Sequence, residues 1–215
     1  MKFYLIALLF LGISCVTFQG IDVSTWQSYI TWSTVAQNNH FAIIRAGYGL
    51  GNIDNFFEYN YQQAKAAGVK VGAYWYSYAA STSDAVQEAN YVVNALRGKQ
   101  FEWPIYYDVE EQSIFTAGIA SAITKAFCEV LEANKYYCGV YSSASALNSY
   151  FDSYVKSQYT IWVAHWDAVT PAYSGPYGLW QYKVGYTPGV SGQVDLDYGY
   201  IDFEPIMKQY GLNGY

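Results

Sequence analysis

Acids stand at three places in this chain where their type and spacing could do chemistry. Asp108 and Glu110 lie two apart in Tyr107-Asp108-Val109-Glu110, inside an otherwise apolar and aromatic run from Pro104 to Glu111. Asp22 sits in Gly20-Ile21-Asp22-Val23-Ser24, and Asp195 and Asp197 in Val194-Asp195-Leu196-Asp197-Tyr198. Residues two apart on a strand project from one face, with Cα atoms roughly 6–7 Å apart. Two carboxyls that close, in a poorly solvated place, separate their pKa values, so one keeps its proton near working pH. A protonated acid beside a second group that stabilises a cationic centre is what cleavage of a glycosidic bond requires. The structural alternative for Asp-x-Glu is a strand-end salt bridge or a cap for a helix after Gln112. Glu111, which strand alternation turns away from Glu110, fits that alternative better. Asp22 by itself would read as a cap for a helix beginning near Trp26.

The elements that must position these acids alternate short β-rich runs with helical stretches, the signal for parallel strands with crossover helices. Strands are predicted over 20–24, 42–47, 69–78, 104–110, 137–142, 160–164, 178–182 and 193–198, all rich in Val, Ile, Tyr and Trp. Helices are predicted over 58–67, ending at Gly68, over 81–97, opening with Ser and Asp caps and ending at Gly98, and over 117–134. Late in the chain the helices fade. The α/β pattern therefore reads as an irregular, flattened TIM-like β/α barrel, whose catalytic groups gather at the C-terminal strand ends. An open doubly wound sheet is the alternative, but no Gly-rich phosphate loop follows the first strand.

Residues 1–19 read as a signal peptide, with Lys2 before the apolar run Phe3 to Ile13 and a cut anywhere from after Ser14 to after Gln19. Residues 20–215 read as one catalytic domain, exported or delivered through the secretory pathway to a phagosomal or lysosome-like compartment. Losing the leader removes Cys15, and the two remaining cysteines, Cys128 and Cys138, read as one disulfide. His40 and His165 stand without ligand-like spacing, so no metal site is expected. His165 reads as a satisfied core histidine. The formal net charge is −6, and removal of Lys2 makes it more negative. That argues against nucleic acid or an anionic membrane as partner, since both select a basic face. Aromatic residues make up 20 % of the chain, with 25 Tyr and 7 Trp. Rings with a polar tip suit stacking on sugars, and many must also be core.

Taken together, the ordered segments resemble the glycoside hydrolase family 25 lysozymes, the muramidases of the Chalaropsis type. The matching stretches are Gly20 to Gln27, Phe41 to Gly49, Val71 to Tyr76, Tyr107 to Glu110, Gly139 to Ser142, Ile161 to Ala164, Trp180 to Tyr182 and Val194-Asp195. The resemblance implies a flattened barrel of five β/α units followed by mainly β elements. It implies hydrolysis of the β-1,4 bond from N-acetylmuramic acid to N-acetylglucosamine in bacterial peptidoglycan, with no metal or organic cofactor. By position, Glu110 corresponds to the proton donor and Asp108 to its assisting partner, with Asp22 and Asp195 as flanking acids. Asp197 stands where many members carry Asn, so a fifth acid shares the strand face of Asp195.

Candidate sugar contacts are Tyr74, Tyr76 and Tyr78 on one strand face, with Tyr141, Trp166, Trp180 and Gln181 at strand-end positions. Arg45 is a cation in an apolar strand, and pairing with Asp22 or Asp54 is favoured over direct substrate contact. The substrate partner is the glycan strand of peptidoglycan, and a monomer is expected. A chitinase-like N-acetylhexosaminidase is the nearest alternative, although Tyr106 replaces the middle Asp of an Asp-x-Asp-x-Glu signature. A barrel that binds carbohydrate without catalysis is the other, but the expected acids are all present.

Overall fold

The computed structural model describes residues 17–215, so all of the proposed leader except Thr17, Phe18 and Gln19 lies outside the described residues. In chain order come β1 (Phe18–Val23), α1 (Trp32–Val35), β2 (Phe41–Tyr48), β3 (Asn52–Ile53), α2 (Phe57–Ala66), β4 (Lys70–Tyr76) and α3 (Thr82–Leu96). They are followed by β5 (Ile105–Asp108), α4 (Gln112–Thr116), α5 (Ala120–Ala133), β6 (Cys138–Ser143), α6 (Ala144–Tyr150) and α7 (Ser153–Gln158). The chain ends with β7 (Thr160–Ala164), β8 (Leu179–Gly185), β9 (Val194–Gly199) and α8 (Glu204–Tyr210).

The sheet runs β1-β9-β8-β7-β6-β5-β4-β2, and pairing of β1 with β2 closes it into a barrel, with β3 added as a short hairpin on β2. All neighbours in the barrel are parallel except β9, which is antiparallel to both β8 and β1. Helical turns follow β1, β2, β4, β5 and β6, and loops then join β7, β8 and β9. The α/β barrel and its late loss of crossover helices thus agree with the sequence. Among the described residues no helix is long and apolar enough to cross a membrane.

Strand alternation divides the core in two. Outward residues such as Ile21, Ile44, Val71, Trp75, Tyr107 and Val140 pack under the helices. Helix α3 offers Ala85, Ala89, Val92 and Leu96 to that layer, one stripe at helical spacing, and Ser81 caps it by accepting from Asp84 N at 3.1 Å. Inward residues fill the lower barrel: Phe41 stacks on Trp103 at 3.8 Å between centroids, with Tyr106, Trp162, and Phe203 and Met207 from the α8 end. Gly20 admits this packing, because a Cβ there would lie 2.3 Å from Phe41 Cζ. Truncating a filled ring such as Phe41 to Ala should cost about 3–5 kcal/mol. The floor is therefore solid, and the polar groups are confined to the upper end.

Two predicted elements differ. The helix predicted over 117–134 begins only at Ala120, because Gly118 takes a left-handed φ of 66° that separates it from α4, a short helix over 112–116 that was not predicted. The strand over 104–110 stops at Asp108, so Glu110 stands beyond the ladder. Cys128 on α5 and Cys138 at the start of β6 form the predicted disulfide, with Cα atoms 5.4 Å apart.

Candidate active site

The parallel strands bring their C-terminal ends to one mouth. Pairing sets Asp22 of β1 opposite Asp195 of β9, and Asp108 of β5 between Tyr76 of β4 and Tyr141 of β6. Gln181 of β8 lies opposite Asp197 of β9. All of these are inward positions, set by the period of two that sends the alternate residues to the helix layer.

The acids differ in depth. Asp22, Asp108 and Asp197 are buried, Asp195 is half-buried and Glu110 is exposed at the mouth. Burial pushes the Asp22 carboxyl well above its ordinary value; Asp195 and Glu110 add to the rise, and a hydrogen bond from Gln181 opposes it. Asp108 is also raised by burial and then by Glu110 and Asp22, while the Arg45 cation pulls it down. Burial raises Asp195 to about 6. Glu110 is raised too, first by desolvation against the walls of the mouth and then by Glu111 and Asp195. One oxygen of Asp108, Oδ1, is buried and makes no hydrogen bond among the described residues. A buried acceptor left unpaired is costly, so it marks a place for a donor from outside the chain.

Gln181 organises the far wall. Its Oε1 accepts from Tyr141 Oη at 2.9 Å and from Trp166 Nε1 at 2.8 Å, which leaves Nε2 to donate to Asp22 Oδ2 at 2.8 Å. Two donors on one oxygen determine the amide orientation. Tyr141 and Gln181, expected as sugar contacts, are both buried on the inner face, with these polar atoms engaged within the wall. Trp180, expected as a sugar contact, is corrected. It is 5 % exposed, points outward into the helix-side core and donates to the His165 carbonyl at 3.0 Å. Alternation explains it, since its neighbour Gln181 takes the inward direction.

Arg45 pairs with Asp54 through Nε at 2.8 Å, not with Asp22. Asp54 also accepts from Thr25 N at 3.0 Å and Phe56 N at 2.8 Å, tying the hairpin to the 3₁₀ turn Thr25–Gln27. That turn is capped by Ser24, so Asp22 is no cap. Tyr76 donates to Glu111 at 2.7 Å, so Glu111 meets an inner-face tyrosine rather than facing away; the chain has left the strand and alternation no longer applies. His165 is half-buried, and its Nδ1 accepts from Ala172 N at 2.8 Å, which holds the loop after β7.

Of the remaining candidates, Tyr74 is half-buried on the inner face against Trp162, with its ring edge-on at 6.0 Å, and Tyr78 and Trp166 are exposed. Beside them the structure exposes rings that sequence reasoning missed: Trp26 after β1, Tyr48 at the end of β2 and Tyr186 just after β8, the first 81 % exposed. The available signal was position, an aromatic residue at or just past the C-terminal end of a parallel strand.

The sequence matches Glycosyl hydrolases family 25 over residues 21–190. It is 30 % identical to Lysozyme M1 of Streptomyces globisporus over 194 residues, 82 % of this chain and 66 % of that one. The fold superposes with a TM-score of 0.74 on the bacterial lysozyme from Streptomyces coelicolor, at 26 % identity, over 92 % of this chain and 98 % of the other. It also resembles the modular autolysin LytC of Streptococcus pneumoniae, solved in complex with a synthetic peptidoglycan ligand, with a TM-score of 0.72 at 25 % identity. That likeness covers 86 % of this chain and 47 % of LytC. Because the match runs from β1 through β8 and the barrel itself is shared, this chain belongs to the glycosyl hydrolases family 25.

Proposed function

We propose that the protein is a lysozyme that hydrolyses the β-1,4 bond between N-acetylmuramic acid and N-acetylglucosamine in peptidoglycan. The observation that carries this is the pairing at the end of β5: a buried acceptor, Asp108 Oδ1, without a partner among the described residues, next to an exposed carboxyl, Glu110, held toward its protonated form. An acetamido N–H would satisfy the first, and a glycosidic oxygen would take the proton of the second.

In this mechanism Glu110 gives its proton to the leaving oxygen while the substrate's 2-acetamido oxygen attacks C1, breaking the C1–O bond and closing a five-membered ring. Asp108 holds the acetamido N–H and offsets the positive charge that develops. Water then attacks C1, passes a proton to the Glu110 carboxylate and reopens the acetamido group, so both proton and configuration are restored. Asp22 and Asp195 flank this centre. Tyr74, Tyr78 and Trp166 offer surfaces for neighbouring sugar rings, and Trp26, Tyr48 and Tyr186 extend that rim. The glycan strand is met by a single copy of the chain.

Export is part of the same proposal. The apolar start of the sequence and the Cys128–Cys138 bond both belong to an oxidising destination. Phe18 and Gln19 pair with Gly199 and Tyr198, so a leader cut before Phe18 leaves β1 whole.

Mass analysis of fragments from purified peptidoglycan tests the function. New reducing ends at muramic acid are expected. Reducing ends at glucosamine, or cleavage of chitin oligomers alone, would overturn it.

A further inference from the structure

Asp197 has no place in the mechanism above, yet it is fully buried beneath the mouth. Its Oδ1 accepts from Trp162 Nε1 at 2.8 Å, and its Oδ2 is buried with no donor among the described residues. The carboxyl within hydrogen-bonding reach of it is Asp22, which already accepts from Gln181 through its own Oδ2. Two carboxylate groups brought together offer only acceptors to each other, and such a contact holds only when one of them carries a proton.

We propose that Asp197 is kept as a neutral acid that donates a hydrogen bond to Asp22, making it a positioning residue that sets the Asp22 carboxylate at the cleavage site. Depth places the proton on Asp197, which is 0 % exposed with Oδ2 lacking any donor, against 5 % for Asp22; Trp162 occupies Oδ1, leaving Oδ2 as the oxygen that turns to Asp22. Asp22 is then held from two sides, by an amide N–H and by a carboxyl O–H. Every oxygen in the buried pair that lacked a partner acquires one.

The charged and titratable surroundings favour the proton. Asp22 faces Asp197 from β1 and Asp195 from its own strand, and the phenols of Tyr106 on β5 and Tyr182 on β8 lie within its field. The phenols of Tyr74 on β4 and Tyr141 on β6, with Glu110, face Asp22. The cation of β2, Arg45, is committed to Asp54. Burial, followed by the charge of Asp22, holds Asp197 well above the usual carboxylate range.

The inference rests on Asp22 being an acid of the cleavage site, and it is tested by readouts that do not all depend on that. Asp197→Asn replaces the O–H by an N–H and cannot titrate. Infrared difference spectra of the wild type and Asp197→Asn near neutral pH should show one protonated carboxyl C=O stretch lost in the variant. Urea midpoints should agree at pH about 3, below the unfolded aspartate value, where folded and unfolded chains both hold the proton, and Asp197→Asn should be the more resistant above pH about 8. On a soluble oligosaccharide, Asp197→Asn should keep kcat/KM within about threefold, whereas Asp197→Ala, which has no donor, should lose roughly tenfold or more. No loss of a protonated carboxyl, or equal destabilisation of Asp197→Asn at both pH values, would overturn the proposal. If the carboxyl signal and the stability crossover appear while peptidoglycan is not cleaved at muramic acid, the acid pair stands and the catalytic reading of Asp22 fails.

Discussion

Replacing Arg45 by Met keeps most of the buried stem and removes the charge. The Arg45 side chain is 12 % exposed and that of Asp54 is 0 % exposed, so the substitution leaves a buried carboxylate without its cation. Breaking such a pair from one side costs about 3–5 kcal/mol. Two backbone N–H groups, from Thr25 and Phe56, still hold Asp54, which puts the cost near the lower limit, about 3 kcal/mol. For a domain of this size that corresponds to a fall in Tm of roughly 6–12 °C. Adding Asp54→Asn removes the stranded charge but keeps an acceptor for only one of the two N–H groups, which Asp54 takes on separate oxygens, so the double variant should recover about 1 kcal/mol. Tryptophan fluorescence during urea unfolding measures all three proteins. The pH–activity profile supplies an independent readout: Arg45 lowers the Asp108 pKa, so its removal raises that pKa and moves the acid limb of activity to higher pH. A single variant within about 1 kcal/mol of the parent, or a double variant no better than the single, would refute the reasoning.

Glu110→Gln should reduce hydrolysis by roughly two to four orders of magnitude with little change in folding. Glu111→Gln keeps an acceptor for Tyr76 and should stay within about threefold of the parent, as the initial rates of the two variants on cell walls would show. The raised carboxyls Asp22, Asp108, Asp195 and Asp197 bind protons more tightly folded than unfolded. Their contribution is complete below the unfolded value and is lost as pH rises through the folded one, for Asp195 from 3.8 toward about 6. Urea midpoints should therefore be higher at pH about 5 than at pH about 7; a flat or reversed trend would contradict the burial of these acids. The Cys128–Cys138 bond closes a sequence separation of 10, so replacing both cysteines by Ala should cost about 2–3 kcal/mol. Protease digestion without reduction should yield the two peptides joined.

Sequence alone was enough for the barrel, the loss of crossover helices after β7, the disulfide and the cluster of acids, because each leaves a local mark. Alternating apolar runs mark strands, caps and glycines bound the helices, and an acid in an aromatic strand stands out against its neighbours. What those marks omit is direction once the chain leaves the ladder. Glu110 and Glu111 have opposite faces only on an ideal strand; β5 ends at Asp108, and Tyr76 draws Glu111 back to the inner side. Trp180 and Gln181 look equally fit to touch a sugar in sequence, yet the phase of β8 puts the indole under the helices and the amide in the wall. Arg45 had two acids within plausible reach, and the hairpin between β2 and α2 delivered Asp54. Asp197 looked like a spare carboxyl beside Asp195; only closure of β9 against β1 and β8 seats it under Asp22, with Trp162 on one oxygen. Local patterns record which surface a residue prefers, whereas partners are chosen by strands far apart in sequence, and that choice exists only in the closed barrel.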